Sequence, residues 1–236
     1  FITVRDALSP DEVAQSRLLC SQTASEEEVL NDINYRYPFR AQTDMPMKLV
    51  SSALDRDYLD TDSPWESVAL SDEKTLLGTA YHKVLQYADY GGDQAHVRGI
   101  IDFLVAQQKI TSETAAQLDV QKIFDVLHNP DLAKLMSNGK VYREISFMLK
   151  APYDEVAKQR AYTDEVMLQG VIDLLIVSQN RATVVDFKYT SHRSGIEQRY
   201  RAQMASYRLA VSRIQKIPEV FSYVFSIEDN ELLPVE

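Results

Sequence analysis

The stretch TVVDFKYT, Thr183 to Thr190, sets Asp186 and Lys188 two positions apart inside a run of β-branched and aromatic residues. On an extended strand such residues share a face, so a carboxylate and an ammonium stand side by side in a segment otherwise suited to a core. A carboxylate oxygen is a ligand that a divalent cation prefers, and the ammonium beside it can neutralise its charge. The same pair also serves as a structural ion pair on an edge strand. Three residues do not decide between these. Charged residues make up 25% of the chain, so a D-x-K triplet is expected about once by chance. A second one stands at Asp72-Glu73-Lys74.

The preceding run, EVMLQGVIDLLIVS, carries another acid, Asp173. The two runs flank Gln179 and Asn180 as hairpin arms flank a tight turn. With the turn centred there, Ser178 faces Arg181 and Asp173 lies directly across from Asp186. Cβ atoms in such a pair are about 5 Å apart, and like charges there are destabilising. Lys188, on the same face, would neutralise one charge. A divalent cation would neutralise both, and carboxylate oxygens are the ligands Mg²⁺ prefers. A register slip of one residue would put the two acids on opposite faces.

Other polar residues stand where burial is expected. Gly78 and His82 in GTAYHKVL lie four apart on one helix face, where glycine admits close approach by another backbone. The histidine reads as a ligand or as a satisfied core residue. Glu144, taken singly, reads as a solvated strand residue. Gln203 and Tyr207 share a helix face, with Arg199, Arg201 and Arg208 nearby, which suits either phosphate binding or an ordinary surface helix.

The elements that must position these groups are legible in the hydrophobic rhythm. Two short helices are expected in the first 35 residues, the second with Ser25 and Glu28 in capping-box spacing, and a looser stretch with Pro38, Pro46 and Pro64 follows. Leu77, Ala80, Tyr81, Val84, Leu85 and Ala88 recur at helical spacing from Ser71 to about Tyr90. Further helices are expected over 93–109, 112–127 and 130–137. After Gly139 the period becomes two, and KVYREISFMLK alternates with Val141, Ile145, Phe147 and Leu149 on one face and Glu144 on the other. The two runs of the hairpin, a helix over 195–214 capped by Ser194, and the strand EVFSYVFSI complete the order. Helices, three strands, a helix and a strand make an α/β chain with a mixed central sheet flanked by helices.

Composition narrows the classes of function. At 236 residues and 45% hydrophobic content the chain can bury a large core. No run approaches 18 apolar residues and no basic start precedes an apolar stretch, so neither a membrane span nor a signal peptide is indicated and a cytoplasmic protein is expected. A single cysteine, Cys20, excludes an internal disulfide framework, a cysteine zinc site and a four-cysteine iron–sulfur cluster. The start at Phe1 and the end in ELLPVE lead us to expect a piece of a longer chain. The net charge of −10 argues against nucleic acid, but its distribution does not. Residues 1 to 75 hold 15 acidic and 7 basic side chains, while residues 181 to 216 hold 2 acidic and 8 basic ones.

Taken in order, GTAYH, REISF, GVIDLLIV, VVDFKYT and YRAQMASY resemble the RecB-like branch of the PD-(D/E)xK nucleases, whose pattern runs G-x-x-x-H, a strand Glu, G-x-x-D, D-x-K and Q-x-x-x-Y. The upstream segment NYRYPFRAQTDMPMKLVSSALDR is similar to the sequence before the nuclease domain of AddA (RexA) helicase–nuclease subunits. The resemblance implies a restriction-endonuclease-like core at 71–236 and an N-terminal helical extension at 1–70 leading to a helicase part that lies outside this chain. No G-x-x-x-x-G-K-[ST] phosphate loop is present, so no ATP site is expected here. The resemblance further implies a Mg²⁺-dependent exonuclease of double-strand-break repair and recombination, with Mn²⁺ able to substitute, acting on a single DNA strand beside an AddB- or RexB-type partner. His82, Asp173, Asp186 and the carbonyl of Phe187 would hold the metal. Lys188 would orient or help deprotonate water, Glu144 would support the site, and Gly78, Gln203 and Tyr207 would position the helices and the DNA. Two departures, Ile-Ser-Phe after Glu144 and Phe187 where relatives have Tyr, remove no ligand.

Two other readings fit part of this pattern. One is a module that binds DNA or assembles a complex without cleaving it, from which retention of Asp173, Asp186 and Lys188 together argues away. The other is a metal-dependent phosphatase, which leaves the helix of Gln203 and Tyr207 unexplained.

Overall fold

A computed structural model describes residues 34, 45–55, 73–157, 164–190 and 195–236. The chain divides into two compact units, Phe1–Asp44 and Met45–Glu236, and the second carries all that follows. The two helices expected in the first 35 residues and the Ser194 cap fall outside the described residues.

Several helices begin where side chains satisfy their free amides. Helix α1, Glu73–Tyr87, buries Ala80, Tyr81, Val84 and Leu85 at the spacing seen in the sequence. Asp93 caps α2, Gln94–Ala106, by accepting from the His96 N–H. The helix expected over 112–127 is two helices, α3 at Ser112–Ala116 and α4 at Val120–Leu127. The break has a local cause: Asp119 takes an extended backbone and its Oδ1 accepts from the N–H groups of Gln121 and Lys122, starting a new helix. Asn129 does the same for α5, Pro130–Met136, whose first position is proline.

Six strands form one mixed sheet: β1 (Lys48–Val50), β2 (Lys140–Pro152), β3 (Glu165–Val177), β4 (Arg181–Lys188), β5 (Glu219–Ser226) and β6 (Glu231–Pro234). Their order is β1-β3-β4-β5-β6, with β2 also paired to β3. The pairs β2–β3, β3–β4 and β5–β6 are antiparallel, and β1–β3 and β4–β5 are parallel. The short helix α6, Tyr153–Ala157, follows β2. The parallel step from β4 to β5 needs a crossover, which α7 (Ile196–Arg199) and α8 (Arg201–Gln215) supply. Lys48–Val50 pair with β3, so the sheet reaches upstream of residue 71, where the sequence puts the boundary. Three residues are too few to show alternation.

β2 runs along one edge of β3 from Glu165 to Val177. On the other edge β1 covers Met167 to Gln169, and β4 covers Leu174 to Val177. Residues 170–173 of β3 lie between them, so the sheet has a gap there.

The side chains change phase at the same level. Leu174 packs with α1, α2 and α4 on one side of the sheet, whereas Ile172, of the same parity, packs with Met204, Tyr207 and Val211 of α8 on the other. In β2, Val141 packs with the first layer and Phe147 with the second, so the single alternating face expected for this strand does not hold. The cause is Glu144, whose φ of 50° breaks the extended strand. The ladder passes from Arg143↔Leu174 to Ile145↔Ile172 without pairing Glu144 to Asp173.

Candidate active site

The hairpin keeps the expected register from its turn as far as Leu174. Ser178 donates its N–H to Arg181 O at 2.8 Å, and Leu174 stands opposite Val185. The next step would set Asp173 against Asp186. Backbone pairing stops there, and the Phe187 N–H turns instead to Asp173 Oδ2 at 2.8 Å.

Each carboxylate has a partner from a flanking helix. His82 Nδ1, on α1, lies 3.2 Å from Asp173 Oδ2. Gln203, on α8, donates from Nε2 to Asp186 Oδ1 at 3.1 Å and to Tyr207 Oη at 2.8 Å. Tyr207 in turn meets Phe147 edge-on at 5.8 Å between ring centres. Lys188 Nζ sits 2.7 Å from Asp186 Oδ2 and 5.1 Å from the centre of the Tyr200 ring. Thus two helices from opposite layers grip one acid each, at the level where the sheet gapes.

Burial raises the Asp186 carboxyl, and Asp173 adds to that rise while Lys188 opposes it, leaving it above its ordinary range. Burial also acts on Asp173, but His82, Lys188 and the Phe187 amide outweigh it and hold that group below its ordinary range. The two acids are therefore electrostatically inequivalent, Asp173 the more firmly ionised. Burial lowers the Lys188 ammonium, yet Asp186 and Asp173 together raise it further, so it stays charged. His82 behaves alike: burial pulls it down and Asp173 more than restores it. Glu144 is pushed up by burial and then by Asp173.

Two adjoining cavities of about 580 and 520 Å³ open here. His82, Val171 and Asp173 belong to the walls of both. Gly78, Thr79 and Glu144 line the first, and Asp186, Lys188, Gln203 and Tyr207 line the second. The floor of the second needs a glycine: a Cβ on Gly170 would come within 2.8 Å of the Phe147 ring and of Ser51 Oγ. Gly78 is different. The nearest neighbour to a Cβ there is Tyr189 Cβ at 3.7 Å, so the close backbone approach expected at this position is absent.

The three arginines expected beside the site do not line either cavity. Arg199 is exposed. Arg201 donates to the Glu236 carbonyl at 3.1 Å and pairs with Glu197, and Arg208 donates to Ser222 Oγ and to Val235 O. Arg201 and Arg208 are seven apart and hence on one face of α8, turned from that of Gln203 and Tyr207. Nearness in sequence to Gln203 misled. Conversely, Arg143 plays a part that the sequence did not reveal. Its guanidinium caps the end of α1 by donating to Gln86 O at 3.3 Å and Ala88 O at 2.7 Å. It lies over the Tyr90 ring at 4.6 Å.

The donor set suits a hard divalent cation, with two carboxylates as its anionic part and one imidazole. Asp186 Oδ2 is buried and meets no donor in hydrogen-bond geometry among the described residues, although the Lys188 ammonium is in ion-pair contact with it. That oxygen is the one most ready to accept a cation. Among the described residues no three His, Cys, Asp or Glu side chains are gathered closely enough to enclose an ion. Asp173 Oδ2 is shared between His82 and the Phe187 N–H. The residues fit a cation by chemistry, and both recorded contacts of Asp173 fall on Oδ2, leaving Oδ1 to share it.

A family model described as "PD-(D/E)XK nuclease superfamily" matches residues 56–232. Among curated proteins, the A subunit of the "ATP-dependent helicase/nuclease" of Alkaliphilus oremlandii (strain OhILAs) is 26% identical over 88% of this chain and 19% of its own length. The protein of the same name from Ruminiclostridium cellulolyticum is 24% identical over 87% of this chain and 18% of its own. That from Geobacillus thermodenitrificans is 27% identical over 94% of this chain and 20% of its own. The chain thus spans at most 20% of the length of these relatives. Among the described residues no helix is long and apolar enough to cross a membrane.

Proposed function

The chain belongs to the PD-(D/E)XK nuclease superfamily, and from that premise we propose that its cleft hydrolyses DNA phosphodiesters with Mg²⁺ or Mn²⁺, as the nuclease domain of an ATP-dependent helicase–nuclease. Nucleases of this superfamily generally use divalent metals. One juxtaposition carries the reading: Asp173, Asp186 and Lys188 meet at the gap of the sheet, with His82 at 3.2 Å from Asp173 and the Lys188 ammonium at 2.7 Å from Asp186.

Asp173, Asp186, His82 and the Phe187 carbonyl would hold the cation. When bound it supplies Lewis-acid polarisation of the phosphate. Lys188 remains charged beside both acids and so offsets charge building on the phosphate oxygens and orients the attacking water. Gln203 keeps the Asp186 carboxylate aimed, and Tyr207 keeps Gln203 aimed. Glu144 borders the cleft beside His82 and Asp173. The cavities on either side of His82 and Asp173 give a single DNA strand room to pass the acids. The relatives are named as one component of a helicase/nuclease, which supports a helicase part in the same polypeptide and an AddB- or RexB-type partner, and a cytoplasmic location where DNA is met.

The test uses linear single-stranded DNA, duplex DNA and p-nitrophenyl phosphate, each with Mg²⁺, Mn²⁺ or EDTA. The reading expects cation-dependent cleavage of single-stranded DNA and no turnover of the phenyl ester. Binding of DNA without cleavage would make the chain a non-catalytic module, and turnover of the ester would make it a phosphatase.

A further inference from the structure

We infer that Asp55 is a positioning residue for the active site, acting through Gln203. Helix α8 has no local cap: Tyr200 precedes it with φ −114° and ψ 12° and its side chain makes no capping hydrogen bond. Its first amides would otherwise lack partners. Asp55 meets them from far away in the sequence. Its Oδ1 accepts from the Ala202 N–H at 2.8 Å and its Oδ2 from the Gln203 N–H at 2.8 Å. A carboxylate is also the favourable charge at this end of a helix.

The residue so held is the one that holds Asp186. Gln203 receives Asp55 on its backbone and reaches Asp186 Oδ1 with its side chain. The other end of the link is fixed as well. Asp55 follows the 3-10 turn Ser51–Ala53, which closes with Leu54 N–H on Ser51 O at 3.3 Å. Ser51 Oγ donates to Gln169 O at 3.2 Å, on the strand that carries Asp173. A closed circuit therefore runs from β3 through β1 and Asp55 to Gln203 and Asp186, tying the carriers of both acids together. Asp55 lines neither cavity, and it lies outside residues 56–232 of the family match.

The inference rests on the nuclease reading for its activity readout but not for its metal readout. The comparison measures Mn²⁺ affinity by calorimetry, single-strand cleavage and melting temperature for the full chain and for Asp55→Ala, Gln203→Ala, their double variant and Asp119→Ala. The last removes a two-amide cap from α4, distant in role from the site. Misplacing a reacting group costs up to about a hundredfold. Asp55→Ala should accordingly weaken Mn²⁺ binding about fivefold or more and lower kcat at least about tenfold, with KM for DNA within about twofold. The double variant should be no worse than Gln203→Ala by more than about twofold, because both changes break one link. Asp119→Ala should lower the melting temperature only. Should Asp55→Ala fail to fold, Asp55→Asn, which keeps one acceptor oxygen, is compared in its place. Mn²⁺ affinity and kcat left intact in the Asp55 variant would overturn the inference, as would independent losses in the double variant. An unaltered chain that binds Mn²⁺ but cleaves no DNA would sink the nuclease reading, while the Mn²⁺ comparison would still decide the role of Asp55.

Discussion

His82 Nδ1 and Asp173 Oδ2 meet at 3.2 Å, joining α1 to the central strand of the sheet. An imidazole among carboxylates shifts preference from Mg²⁺ toward Mn²⁺. Mn²⁺ should therefore raise the melting temperature at lower concentration than Mg²⁺, by an amount corresponding to about 2.7 kcal/mol at a hundredfold excess over Kd. His82→Ala should narrow the difference between the two ions. Thermal melts across a titration of each ion check this, and an equal response of the unaltered protein to both would contradict it.

Gln203 satisfies two buried groups at once, Asp186 Oδ1 and Tyr207 Oη. Gln203→Leu keeps much of the volume and leaves both without that donor. A buried polar group left unsatisfied costs about 1–3 kcal/mol, so urea denaturation should show a loss in that range along with slower cleavage. Unchanged stability would mean that water replaces the amide at no cost.

Of the two glycines that line the cavities, Gly170 is the one with no room for a methyl. An alanine methyl there would meet Phe147 and Ser51 Oγ, both at 2.8 Å, and Phe147 cannot withdraw without losing its edge contact with Tyr207. Overpacking of this kind costs about 1–3 kcal/mol. Gly170→Ala should lower both melting temperature and cleavage rate, and Phe147→Leu in the same chain should restore part of the stability.

Gly78 should respond in the opposite sense. It stands inside α1 with room for a methyl, and glycine in a helix interior is about 0.8–1.0 kcal/mol worse than alanine. Gly78→Ala should melt at higher temperature. Because residue 78 lines the cavity beside His82, the same change should slow cleavage of DNA. A variant that is both more stable and fully active would show that the strand does not pass over this helix.

Hydrophobic rhythm made most of the sheet and its helices legible, and the composition of the Gln179–Asn180 turn fixed the β3–β4 register that brings Asp173 toward Asp186. What stayed hidden depends on long-range pairing. β1 is three residues long and is stabilised by an edge of β3 more than a hundred residues away. The kink at Glu144 has no glycine to announce it, because a positive φ falls here on a residue that rarely adopts one. Asp55 sits in a segment with no periodicity, and its partners are 147 and 148 residues distant. The arginines of α8 failed for a simpler reason: opposite faces of the same turns of helix carry the residues that serve the cleft and those that hold β5 and the last residues of the chain.

The account turns on Asp186 and Lys188 acting together on a phosphodiester. Its most direct test is single-turnover cleavage of end-labelled single-stranded DNA with Mn²⁺ by the unaltered protein, Asp186→Asn and Lys188→Ala, all confirmed folded by their melting curves. The account predicts that each variant loses at least about a hundredfold in rate. Cleavage by either variant at the unaltered rate would contradict it.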